Sequence, residues 1–150
     1  MIYHYTMIPT VRKIQADGVI RSASQILFAD AFARQIAHTT PPIVWLTLNP
    51  LGEGTTLAKA KAGGYKGKLI GDIGRILVAD EIAPMDLNDY TQSINLPLEA
   101  WRWVLATAEM IDIDPTVWRV CPRDIPREEW QGVEVLSGID AVGTTWMPLK

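Results

Sequence analysis

Apolar positions recur along this chain with periods of about 2 and about 3.6 residues, and the changes of period mark its candidate elements. Residues 1–6 are aromatic and β-branched and predict a short strand, with Ile2, His4 and Thr6 on one face and Tyr3 and Tyr5 on the other. Residues 9–16 change to helical spacing, with Pro9 in the first turn, Val11 and Ile14 inward and Gly18 as a left-handed cap. Val19, Ile20 and Arg21 form a short extended piece. Residues 24–37 predict a second helix, capped by Ser24, with Leu27, Phe28, Ala31 and Phe32 as its stripe and Pro41-Pro42 as its stop. Residues 43–48, IVWLTL, are the clearest strand. Strands are also expected at 75–79, 117–120, 132–136 and 144–149, with a hook over 125–130 and a turn at Gly138. Helices are expected at 86–93 and 97–111, the latter with Trp101, Leu105, Ala108 and Ile111 in its stripe.

Helices early and in the centre, with strands gathering toward the end, indicate an α+β class with a mixed or antiparallel sheet. A chain of 150 residues fits one compact domain over 1–150. Between 51 and 74 the pattern lapses into glycines with Lys59, Lys61, Lys66 and Lys68 among them, and a short helix is expected at 56–62. Such a stretch suits either a loop at a site entrance or a surface excursion. The lone Cys121 forms no internal disulfide and is expected to be buried; a cytoplasmic location is the default. No apolar run is long enough to span a bilayer, and no signal peptide is expected. Net charge is −3 with scattered Lys and Arg, which argues against a broad nucleic-acid surface but leaves room for a small anion on one or two arginines.

The standard phosphate loop, dinucleotide glycine motif, serine elbow and zinc-protease helix are absent. With His4 and His38 as the only histidines, no metal site is expected. What stands out is polar chemistry on apolar strands: His4 and Thr6 on the first, Trp45 and Thr47 on the second, and Glu134 in GVEVL, where Val133 and Val135 take the opposite face. A carboxylate among apolar neighbours is costly to bury without a partner, and such carboxylates often serve function.

Tyr-His-Tyr-Thr on an N-terminal strand followed by a helix and ADGVI, then IVWLTLNP, then WQGVEVLSG, resembles the ADP-ribosyltransferase domains. The likeness is to the group with a histidine, an aromatic residue and a glutamate, which includes the poly(ADP-ribose) polymerases and bacterial toxins that modify DNA. The chain departs from the pattern in offering Trp45 where tyrosine is usual. The resemblance implies a split sheet and NAD as substrate, with ADP-ribose passed to a protein or nucleic-acid acceptor, as in a bacterial or phage effector. It makes Glu134 the catalytic residue, with His4, Thr6, Trp45, Thr47 and Arg75 contacting NAD, and it requires His4, Trp45 and Glu134 to converge on a single hollow. Arg75 would pair with the pyrophosphate.

Each residue also has a plainer interpretation. His4 could be a structural histidine, Thr6 a strand filler, Trp45 a core residue, Glu134 part of a solvated face and Arg75 an ordinary surface arginine. Two other functions remain open. RNA 2′-phosphotransfer uses a related fold and wants several arginines, for which Arg75 and Arg119 are the candidates. A silent nucleotide- or protein-binding module would keep the fold without turnover.

Overall fold

The computed structural model describes residues 1–24, 26–27, 38–51, 69–110, 114–139 and 144–150. In chain order the elements are β1 (Ile2–Met7), α1 (Ile8–Asp17), β2 (Val19–Ile20), β3 (Ile26–Leu27), β4 (His38–Thr39), β5 (Val44–Thr47), β6 (Ile73–Val78) and β7 (Met85–Asp86). There follow α2 (Leu87–Ser93), α3 (Leu98–Met110), β8 (Trp118–Cys121), β9 (Ile125–Pro126), β10 (Trp130–Ile139) and β11 (Thr144–Pro148). Seven strands form one sheet in the order β11-β10-β6-β1-β5-β8-β7, and every described pairing in it is antiparallel. The protein is thus an α+β domain. Pairs β2–β9 and β3–β4 form two small sheets beside it.

β1 is central but unequally joined. It pairs with β6 from Ile2↔Val78 to Met7↔Ile73, yet meets β5 only at Tyr3↔Thr47. Across this thin seam the His4 Nδ1–H donates to the Trp45 carbonyl at 3.0 Å.

The two sheet faces carry separate cores. Ile2, Val44, Leu46, Ile76, Val78 and Cys121 pack together on one face, with Ile14 of α1 against them. On the other face, Ile43, Leu87, Tyr90 and Val120 pack with Trp45, Trp101, Val104 and Trp118, so α2 and α3 cover the β5-β8-β7 half. α1 begins at once after β1, with Pro9 in its first turn, and ends at Gly18, which has a φ of 70° and whose N–H caps the Ile14 carbonyl at 2.8 Å. Asp86 starts α2 by accepting from the Asp89 N–H at 2.8 Å.

α1 sits on β6 where Gly74 leaves room. A Cβ there would lie 2.8 Å from Val11 Cγ2, 2.9 Å from Ile8 Cδ1 and 3.1 Å from the Glu134 carbonyl oxygen. Gly74→Ala is therefore expected to cost about 1–3 kcal/mol by overpacking. It should lower the thermal midpoint by several degrees despite the smaller entropy of the unfolded chain.

Several sequence expectations need correcting. The helix expected from Ser24 does not start there: Ile26–Leu27 pairs instead with His38–Thr39, a tertiary contact overriding local propensity. Residues 28–37 lie outside the described residues, as does the helix expected at 56–62. Arg75 is not at the start of its strand but inside it. Gly138 is not a turn; a bulge between Leu136 and Gly138 carries β10 on to Ile139. Leu105 points outward from α3, whereas Ala108 is buried as expected.

Candidate functional site

Antiparallel partners share a face, so the register fixes what gathers on it. Tyr5 pairs with Arg75, and Arg75 pairs with Glu134. All three therefore project from the face opposite α1, on the β1-β6-β10 half of the sheet. Arg75 is only 8% exposed, which rules out an ordinary surface arginine. Its Nε and Nη2 both donate to Glu134 Oε2 at 2.6 Å. Nη1 donates to the Pro50 carbonyl at 2.5 Å and to the Tyr5 hydroxyl at 3.3 Å. The guanidinium lies 4.6 Å from the Tyr3 ring centre and 4.4 Å from that of Trp146, so two rings flank the cation.

This geometry divides the labour. All three Arg75 nitrogens are occupied inside the protein, and its charge is balanced by Glu134. Arg75 thus orients the carboxylate rather than waiting for a phosphate. Glu134 keeps Oε1 without a hydrogen bond among the described residues, and its side chain is 23% exposed. One oxygen is fixed, and the other, with no hydrogen bond among the described residues, could accept from a ligand hydroxyl or face a developing positive charge. Burial pushes the Tyr5 hydroxyl up to about 12, with the Arg75 hydrogen bond opposing, so Tyr5 stays neutral and donates to the Asn49 carbonyl at 2.8 Å.

The other sequence candidates do not join Glu134. His4 and Thr6 alternate with Tyr3 and Tyr5, pair with Ile76 and Gly74, and face the α1 side. The register that brings Tyr5 to Arg75 compels this. Trp45 shares Glu134's face in principle, but β6 and β1 lie between β10 and β5. At strand spacing that is roughly 14 Å. Trp45 instead packs edge-on to Tyr90 and Trp118, each with ring centres 6.1 Å away, as part of the second core. Thr47 is buried, and its hydroxyl accepts from the Asn49 N–H at 3.1 Å. Arg119, on β8, donates to the Thr116 and Trp118 carbonyls, with β1 and β5 between it and Arg75's strand.

Burial lowers the affinity of His4 for a second proton, outweighing the opposing hydrogen bond to the Trp45 carbonyl. The folded state favours neutral imidazole, so the unfolded chain binds more protons below about pH 6.5, and stability falls as pH drops through that value. The loss has a ceiling of about 1.4 kcal/mol per pH unit. Urea unfolding between pH 7.5 and 5 should show this slope, and His4→Gln should flatten it.

The sequence did not single out Tyr3, Tyr5 or Trp146 as partners of the ion pair. The available signal was Arg75 itself, a lone cation amid Ile73, Ile76, Leu77 and Val78. A cation so placed needs a carboxylate and a polarizable lining. Among the described residues no helix is long and apolar enough to cross a membrane. No group of three or more His, Cys, Asp or Glu side chains among them could hold a metal. Comparison of the chain with family models, curated proteins and solved structures finds no match.

Proposed function

We propose that the protein transfers ADP-ribose from NAD to a macromolecular acceptor, with Glu134 as the catalytic carboxylate and Arg75 as the residue that positions it. One observation carries this: Glu134 has one oxygen locked by a buried arginine and the other without a hydrogen bond among the described residues, on a face edged by Tyr3 and Trp146. The resemblance to ADP-ribosyltransferases, which makes Glu134 the catalytic residue, supports the same assignment. The single β1–β5 pair gives the sheet a seam that supports a split of that kind. In the reaction the bond between ribose C1′ and the nicotinamide nitrogen breaks, and its electron pair leaves with nicotinamide. Glu134 accepts from a ribose hydroxyl and stabilises the oxocarbenium-like ribose, and an acceptor nucleophile then bonds to C1′ and loses its proton. His4 and Trp45, which the resemblance would bring to one hollow with Glu134, lie on the opposite face and two strands away respectively, so they have structural roles in this scheme, and the pyrophosphate is not held by Arg75.

The test is a thermal shift with NAD together with nicotinamide release from labelled NAD. A ligand at 100 times its Kd adds about 2.7 kcal/mol to stability. Neither a shift nor release would end the proposal. A shift without release or label transfer would favour the silent binding module, a second reading supported by the internal saturation of Arg75.

A further inference from the structure

The turn at 49–51 is held in an unusual way. Its backbone N–H and C=O groups are bonded to side chains, not to a strand ladder. Asn49 N–H donates to Thr47 Oγ1 at 3.1 Å and Leu51 N–H to Asn49 Oδ1 at 3.0 Å. Three successive carbonyls then accept from three strands: Asn49 from Tyr5 at 2.8 Å, Pro50 from Arg75 at 2.5 Å and Leu51 from the Thr144 hydroxyl at 2.5 Å. The two outer latches are relays. Arg75 Nη1 donates to the Tyr5 hydroxyl, which donates onward, and Trp146 Nε1 donates at 2.9 Å to Thr144 Oγ1, which does the same. Every outward latch thus belongs to, or is bonded by, a residue of the Arg75–Glu134 cluster.

We propose that the 49–51 turn is a strap across the Nη1 end of the Arg75 guanidinium, one that unfastens as a unit while the sheet stays folded and so regulates access to the Arg75–Glu134 pair. Its role as a gate rests on the same face being the ligand site; its opening does not. Among the described residues the turn is tied by side chains alone, and a segment so tied opens when those side chains let go, at less cost than global unfolding. β6, by contrast, is laddered on both edges by β1 and β10.

Hydrogen exchange and chemical labelling test this together. In the wild-type protein the Asn49 and Leu51 amides should exchange at least about tenfold faster than those of Ile76 and Val78. In Tyr5→Phe/Thr144→Val, which removes both outer latches, they should speed up by a further factor of about ten. Modification of Arg75 by phenylglyoxal, read by peptide mass, should rise in step, with Ile76 and Val78 unchanged. Equal exchange of the turn and β6 in the wild type would overturn the strap. So would unchanged Arg75 labelling in the variant, or acceleration spreading to β6. Should the double variant not fold, the wild-type comparison and Thr144→Val alone decide. Slower Arg75 labelling with NAD present would support the nucleotide site; no slowing would count against NAD there while the strap stands or falls on the ligand-free results.

Discussion

Arg75→Ala is expected to lower the unfolding free energy by about 3–4 kcal/mol. Removing one partner of a buried pair costs about 3–5 kcal/mol because the other charge is stranded. Glu134 retains some exposure, which places the cost at the lower end. The same substitution strips a donor from the Pro50 carbonyl and the Tyr5 hydroxyl and empties the gap between the Tyr3 and Trp146 rings. At roughly 2–4 °C per kcal/mol for a chain of this length, the thermal midpoint should fall by about 6–16 °C. Arg75→Lys should recover less than half of this. An ammonium cannot donate from two fixed nitrogens to Glu134 while reaching Pro50, nor stack as a plane between two rings. Urea and thermal unfolding of the three proteins provide the measurement. A lysine variant as stable as wild type would mean that charge alone, not the planar fork, matters at this position.

Glu134→Gln should reduce nicotinamide release from NAD by about 10²–10³-fold while leaving the fold largely intact. The amide has the carboxylate's shape, and its oxygen can still accept from Arg75, so the stability loss should be well below that of Arg75→Ala. What disappears is the negative charge beside the forming oxocarbenium ion, and losing a preorganised electrostatic contact of that type costs about 10²–10³ in rate. The kinetic pattern matters as much as the size. A contact made mainly in the transition state lowers kcat and kcat/KM together, whereas one made to bound NAD raises KM alone. If wild type and Glu134→Gln release nicotinamide at one rate, Glu134 is not the catalyst and the ion pair serves the fold.

The elements of this chain were largely legible because their causes are local. Pro9 and Gly18 bracket α1, a helix is readable at 86–93, and the alternation in residues 1–6 separates Tyr3 and Tyr5 from His4 and Thr6. Glu134 also stood out, as an acid between Val133 and Val135. Its companions could not be read in the same way. Alternation says which residues of one strand share a face, but not which face meets which neighbour, and a shift of one residue in register exchanges the two sets. Only the pairing of Tyr5 with Arg75 and of Arg75 with Glu134 placed the tyrosines, and not His4, beside the acid. Strand order then set Trp45 two intervening strands away, under α2 and α3. By itself the sequence determined that this protein has short strands, capped helices and a carboxylate needing a partner. The tertiary structure decided that the partner is Arg75, because long-range pairing sets register and strand order and no local pattern encodes either.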